Sequence, residues 1–285
     1  MRRVPFRVRL RVPVFDVSER SGWLIEGDAG WGECSPLPSW GDADQRNAER
    51  AAVEAAMLPF PDARVDRVTV NAMVPRLEPD EAARLAVESG CATIKVKVGD
   101  RSGVDRVAAV RSACGPSVRI RVDGNAAWDL DTARRELTAL VGYDIELAED
   151  PVKTLEDMAM LRRRSPIPVA AETSIRSVAD AERLRALDAA DAIVLKPQRI
   201  GGVRMALAAA EVAGVPAIAS SALETSIGLA AVVALAAALG PGPFAHGCGT
   251  ALLLEDDVTD ERLLPEAGVL LPTRPQPASS LLANA

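Results

Sequence analysis

From about Arg67 onward the chain alternates short β-branched runs with alanine-, leucine- and arginine-rich stretches of helical period, each pair closed by glycine, proline or aspartate. Strands are expected at 68–73, 93–98, 118–123, 144–148, 169–172, 192–196, 216–219 and 243–245, with helices near 78–89, 102–113, 129–140, 154–164, 177–187, 201–213 and 227–239. Strict alternation of this kind is accommodated more simply by a closed parallel barrel than by an open sheet. The segment before residue 66 has another character. An alternating strand, two strands about an Asp28-Ala29-Gly30 turn, and a helix around Asp44 to Met57 make a small α+β companion. The tail from Leu263 is proline-rich and without period, so it is expected to wrap across the surface and fray at its last residues. The expected division is 1–66, 67–254 and 255–285.

A length of 285 residues with 48% hydrophobic residues describes a soluble chain able to bury a substantial core. The formal charge of −7 argues against a nucleic-acid partner, which normally meets a basic face. The start, MRRVPFRVRLRVPVF, alternates arginine with apolar residues and reads as neither a signal nor a transit peptide. The longest apolar segment, Ile227 to Leu239, is too short and alanine-rich to span a bilayer, so a cytoplasmic protein without a membrane partner is expected. Cys34, Cys91, Cys114 and Cys248 show no C-x-x-C spacing and fit reduced structural thiols.

Of the 33 basic residues only four are lysines, and Lys95, Lys97 and Lys196 sit inside apolar runs. Burying an ammonium is costly, so an amine placed there is normally paired or used as an acid or base. On the expected strands Lys97, Asp123, Glu149, Glu172 and Lys196 each fall at a C-terminal end, separated by 26, 26, 23 and 24 residues. In a parallel barrel those ends converge on one mouth, where active sites of the fold lie.

Three carboxylates facing one another repel unless a cation holds them, and with no suitable histidine or paired cysteines the expected ion is hard and oxygen-liganded: Mg²⁺ on Asp123, Glu149 and Glu172. Side chains two apart on a strand point the same way, so Lys95 and Lys97 both face inward. Crowding by Lys95, the metal and Lys196 is expected to depress the Lys97 pKa until a neutral amine can take a proton α to a carboxylate. Taken singly, each residue has a plainer reading as a salt-bridge partner or helix cap; the coincidence of five ionisable residues with five successive strand ends favours a site.

Asn125 shares the face of Asp123 and reads equally as a ligand contact or a turn residue. Ser220, Ser221, Gly249 and Thr250, with Gly247, follow the last two strands, where hydroxyls and backbone N–H groups could receive a carboxylate or carbonyl. Arg121 lies one layer deeper and is expected to neutralise barrel carboxylates. His246, the only histidine, has no acidic neighbour in sequence and reads as structural.

KVKVG at 95–99, RVDGNAAWD at 121–129, AEDP at 148–151, AETS at 171–174 and LKPQRIGG at 195–202 resemble the enolase superfamily, and GWGECSP at 30–36 resembles its capping domain. The resemblance implies a (β/α)7β modified TIM barrel with a small N-terminal α+β capping domain. A lysine or histidine base working with Mg²⁺ is a property of that superfamily, not something the spacing shows. Lysines on strands two and six resemble its muconate lactonizing subgroup, and SSALETSIG at 220–228 resembles the dehydratases within it. That likeness implies loss of water from 2-succinyl-6-hydroxy-2,4-cyclohexadiene-1-carboxylate, a small carboxylate substrate, with Lys97 as base and Lys196 as electrostatic partner. Two departures stand out: Glu172-Thr173 replaces the commoner Asp-Glu-Ser motif, and the cap is shortened. Loops at Pro13 to Gly22 and Pro36 to Gly41 are expected, by the same likeness, to be mobile and close over the mouth. An N-acylamino acid racemase or dipeptide epimerase, and more remotely a non-catalytic metal-binding barrel, remain alternatives. The oligomeric state is left open, a monomer being compatible with the sequence.

Overall fold

The computed structural model describes residues 1–14 and 16–283. An antiparallel sheet opens the chain: β1 (Arg3–Val14), β2 (Val17–Gly27) and β3 (Gly30–Cys34), with α1 (Asp42–Met57) packed on it. Strand β1 alternates between solvent and core along RVPFRVRL, so that Val4, Phe6, Val8 and Leu10 are buried while the arginines between them stay exposed. The expected loop at Pro13 to Gly22 is mostly strand, since β1 runs to Val14 and β2 starts at Val17. Phe15 within that segment, and Asn284 and Ala285 of the expected frayed end, lie outside the described residues.

The barrel then follows: β4 (Val68–Thr69), β5 (Ala72–Val74), α2 (Pro79–Glu88), β6 (Thr93–Lys97), α3 (Gly103–Cys114), β7 (Arg119–Asp123), α4 (Leu130–Leu140), β8 (Ile145–Glu149), α5 (Leu155–Arg162), β9 (Val169–Ala171), α6 (Val178–Leu187), β10 (Ala192–Leu195), α7 (Pro197–Ile200), α8 (Val203–Ala213), β11 (Ala217–Ala219) and α9 (Ser226–Leu239). Strands β5 to β11 pair in parallel in sequence order. Closure departs from the expected eighth strand at 243–245: single parallel bridges from Val70 to His246 and from Ser220 to Gly247 join the two edges instead. The expected first strand is likewise divided, because β4 turns away to pair with β12 (Val269–Leu270) of the returning C-terminal segment, which ends in α10 (Ser279–Ala283).

Period-two alternation sorts the strand residues into two populations. Ile94, Val96, Ile120, Val122, Ala148, Val169 and Ile193 belong to the large core beneath the helices. Leu147, Ala170, Ala192, Val194 and Ile218 form a separate apolar cluster with Phe244, a plug inside the barrel. One step further along the same inward rows come Glu149, Glu172, Lys196 and Ser220, and on β6 and β7 Lys97 and Asp123. The plug fills the interior and lifts the polar residues to the mouth. A third cluster joins cap to barrel there, with Val4, Phe6, Trp31, Leu37 and Trp40 packed with Met73, Ala222, Leu223 and Ile227.

Among the described residues no helix is long and apolar enough to cross a membrane.

Candidate active site

The lysines on β6 are both buried, Lys95 at 6% and Lys97 at 5% exposure. Lys97 Nζ lies 2.7 Å from Asp123 Oδ2, and Lys95 Nζ lies 2.9 Å from Glu149 Oε1 and 3.2 Å from the same Asp123 oxygen. These contacts follow from register: Lys97 is paired with Asp123 across β6 and β7, and Asp123 with Glu149 across β7 and β8. Glu172 and Lys196 stand one residue beyond the ends of β9 and β10, and Lys196 Nζ donates to Glu172 Oε2 at 2.6 Å.

Asp123, Glu149 and Glu172 stand at the C-terminal ends of the adjacent strands β7, β8 and β9. Each is neutralised by an amine or guanidinium of the chain itself, and among the described residues no three His, Cys, Asp or Glu side chains stand as a ready ligand set. The donors still fit a hard cation, since three carboxylates reach one rim from adjacent strands. Beside them Asn125 Oδ1 is buried with no hydrogen-bond partner, while its backbone N–H donates to Asp123 Oδ1 at 3.0 Å.

The two β6 amines are tuned in opposite directions. Burial pulls the Lys97 pKa below the ordinary lysine value; Asp123 opposes this, and Lys95 and Lys196 add to it. Burial acts against Lys95 as well, but Glu149 and Asp123 outweigh it and raise its pKa. Asp123 is lowered despite burial, chiefly by Lys97 and Lys95, whereas burial and the neighbouring Asp123 and Glu172 charges raise Glu149. Glu172 is lowered in spite of burial by Lys196 and Arg199.

Leu37, Asn71, Met73, Lys95, Lys97, Lys196, Ser220, Ser221, Leu223 and Thr250 surround a cavity of about 30 Å³. Ser221 Oγ and Thr250 Oγ1 are 2.5 Å apart. Leu37, from the segment at Pro36 to Gly41, reaches into this cavity. Gly249 does not line it: a Cβ there would meet the Asn71 carbonyl oxygen at 2.5 Å, so close packing requires the glycine. Arg121 donates to Glu146 Oε2 at 2.5 Å and to the Ala245 carbonyl at 2.7 Å, neutralising one carboxylate below the mouth and tying the barrel seam. His246 Nδ1 accepts from the Ala219 N–H at 3.0 Å. Burial, with Arg121, pushes the imidazole pKa down to about 4, as a neutral structural ring requires.

Sequence reasoning passed over three residues. Arg199, three positions after Lys196, donates to Glu172 Oε1 at 3.1 Å and stacks over Trp40 at 5.4 Å to the ring centroid. Asp44 of the cap lies 3.9 Å from the same guanidinium. Asp150 accepts from the Glu172 and Thr173 N–H groups at 2.8 and 2.7 Å, setting the backbone at the end of β9. Asp150 and Arg199 lie inside motifs already singled out, AEDP and LKPQRIGG, whereas nothing in the sequence near Asp44 signals its place beside the site.

A hollow of about 980 Å³ lies on the cap between Arg7, Trp23 and Arg46, away from these groups. The buried lysines gather instead around the smaller cavity.

A parallel barrel carrying carboxylates and amines at its strand ends, with an α+β cap packed over them, defines a class in which charge is managed at one mouth. Two family models match this chain: enolase C-terminal domain-like over residues 78–275 and enolase N-terminal domain-like over residues 2–56. The chain belongs to the enolase superfamily. The o-succinylbenzoate synthase of Thermobifida fusca (strain YX) is 48% identical over 272 residues, covering 94% of this chain and 84% of that protein. Among solved structures, muconate lactonizing enzyme from Pseudomonas fluorescens complexed with muconolactone superposes with a TM-score of 0.88 at 21% identity, covering 99% of this chain and 97% of that one. A dipeptide epimerase from Cytophaga hutchinsonii complexed with Mg and dipeptide D-Ala-L-Val gives 0.84 at 22% identity, covering 99% and 96%. At such identities the likeness concerns the fold.

Proposed function

We propose that this chain is an o-succinylbenzoate synthase, a carbon–oxygen lyase that dehydrates 2-succinyl-6-hydroxy-2,4-cyclohexadiene-1-carboxylate to 2-succinylbenzoate for menaquinone biosynthesis. The observation that carries the reading is a cavity shared by Lys97, whose pKa burial lowers, and Lys196, above three carboxylates. The 48% identical relative bears that enzyme name. The division into a cap at 1–66, a barrel at 67–254 and a returning segment at 255–285 belongs to the same proposal.

Neutral Lys97 takes the proton α to the substrate carboxylate. The electron pair moves toward that carboxylate and then into the ring as the bond to the 6-hydroxyl breaks. Lys97 returns its proton to the departing oxygen, so water leaves, the ring becomes aromatic and the amine is restored. Strands β6 and β10 are four places apart in sheet order, which puts Lys196 on the far side of the barrel from Lys97. There it supplies positive charge to the electron-rich ring. Lys95 stays charged and holds Glu149 and Asp123. Ser220, Ser221 and Thr250 hydroxyls, with Asn125 and the backbone at Gly247, are assigned to hold substrate oxygens, while Gly249 packs on the Asn71 carbonyl instead.

Asp123, Glu149 and Glu172 would hold Mg²⁺, which when bound supplies a Lewis acid for negative charge developing on the carboxylate. The Mg in the epimerase structure is in keeping with this assignment.

The test is loss of the diene's ultraviolet absorbance on incubation with the protein and Mg²⁺. Turnover is expected to vanish with chelator and to fall by roughly 10²- to 10⁴-fold in Lys97→Ala, the range for loss of a general base. Turnover unchanged in that variant sinks the assignment. A second reading draws on the same pair of amines: Lys97 and Lys196 on two sides of one cavity suit racemisation of an N-acylamino acid. Exchange of that substrate's α proton with D₂O, followed by NMR in the absence of diene turnover, would select it.

A further inference from the structure

A second set of buried ionisable groups, unused by the proposed reaction, lies between cap and barrel: Arg20 on β2, Glu33 on β3 and Glu224 in the loop before α9. Glu33 is 3% exposed. Its Oε1 accepts from Ser35 Oγ at 2.5 Å and Thr225 N–H at 3.2 Å; its Oε2 accepts from Gly228 N–H at 3.0 Å and from the Thr225 hydroxyl. Three of these four donors belong to the start of α9. That helix has no side-chain cap from its own N-cap residue, Thr225, so a carboxylate from the cap domain accepts from the Thr225 and Gly228 N–H groups at its start. The approach depends on Gly228, where a Cβ would meet Glu33 Cδ at 2.9 Å.

The same node reaches the site in two directions. Ser35 N–H donates to Gln198 Oε1 at 2.9 Å, two residues beyond Lys196, while Arg20 donates to the Leu223 carbonyl at 3.1 Å. Within the loop, Glu224 Oε2 accepts from Ala222 N–H at 2.6 Å, and Oε1 is buried without a partner. Ser220, Ser221, Ala222 and Leu223 of this loop line the cavity that holds Lys97 and Lys196.

We propose that Glu33 is a positioning residue: from the cap it fixes the loop at 220–225, and with it the cavity wall against which substrate is held. The carboxylate touches no reacting atom. Its effect belongs in substrate affinity, because the two amines of the cavity are anchored separately, Lys97 by Asp123 and Lys196 by Glu172. An anionic acceptor of four donors cannot be replaced by an amide without setting an NH₂ against an N–H, so Glu33→Gln is the informative change.

The test compares wild type, Glu33→Gln and the milder Thr225→Val by deuterium uptake in peptides and by steady-state kinetics with the diene; only the kinetic arm rests on the proposed function. Expected are faster uptake confined to residues 220–235, with β6 to β8 unchanged, and a KM raised about 10-fold while kcat stays within about 3-fold. Lowered overall stability without those local and KM changes overturns the proposal, as does faster local uptake with KM unaltered. If Glu33→Gln does not fold, Thr225→Val must show the same pattern at smaller size, and its absence overturns the proposal. If wild type itself fails to turn over the diene, the exchange arm decides: uptake raised only at 220–235 supports the clamp, and uptake raised evenly removes it.

Discussion

Lys95 and Lys97 share a strand and a face, yet their surroundings assign them different tasks. Lys95 bridges Glu149 and Asp123 and is held charged; Lys97 lies against Asp123 and is driven toward neutrality by burial. Removing Lys95 leaves Glu149 and Asp123 buried without that partner, a change worth on the order of 3–5 kcal/mol when one member of a buried ion pair is lost. Lys95→Met is therefore expected to unfold at lower denaturant in chelator and to recover much of the loss in Mg²⁺; a deficit indifferent to Mg²⁺ would count against cation binding by these carboxylates. His246 tests burial in the opposite sense. Its folded pKa, down to about 4, lies below the unfolded value near 6.5, so the unfolded chain binds the proton more readily between these limits. Its contribution is fully present above the unfolded value and is lost as pH falls toward 4, by on the order of 3 kcal/mol in all. His246→Asn, whose amide oxygen can still accept from Ala219 N–H, should flatten the fall in stability from pH 6.5 to 4 measured by urea unfolding. An unaltered slope would show that other groups govern it.

At the scale of elements, the helices were legible because their ends are written in local chemistry. Asp129, Thr154 and Ser177 accept from the N–H three residues on at 2.7, 3.1 and 3.2 Å, opening α4, α5 and α6 near their expected starts. Ser177→Ala is expected to cost about 1 kcal/mol in urea unfolding and leave KM and kcat alone, since this helix end lies outside the cavity. A kinetic effect there would mean that α6 supports the site. Strands fared less evenly. Those from β6 to β10 came within a residue or two of expectation, whereas the first expected strand broke into β4 and β5 and the last dwindled to bridges at His246 and Gly247. The reason is that edge-closing strands are set by partners far along the chain, β12 and the residues near Ser220, which no local pattern reveals. The same holds for α9, whose first turn is completed by Glu33 and by Asp257, the latter accepting from Ser226 N–H at 3.1 Å.

Over the whole molecule, cap and barrel enclose a cavity of about 30 Å³, room for little more than a water molecule. A ring bearing a succinyl chain needs several times that space, so binding must displace part of the cover, Leu37 being one of the residues in the way. Ligand linkage offers a test of the metal assignment: Mg²⁺ at 100 times its dissociation constant should stabilise the fold by about 2.7 kcal/mol, read as a rise in melting temperature. Asp123→Asn combined with Glu149→Gln should abolish the rise, and its persistence would relocate the cation. By itself the sequence determined the alternation of strand and helix and the row of ionisable residues at successive strand ends, because side-chain parity along a strand and capping at a helix end are decided within a few residues. Tertiary structure alone decided which charges pair, that Arg199, Trp40 and Asp44 brace Glu172, and that the cap's Glu33 finishes a barrel helix. Burial and the distance between groups remote in sequence govern those outcomes, and both come into being only when the sheet closes and the cap settles on its mouth.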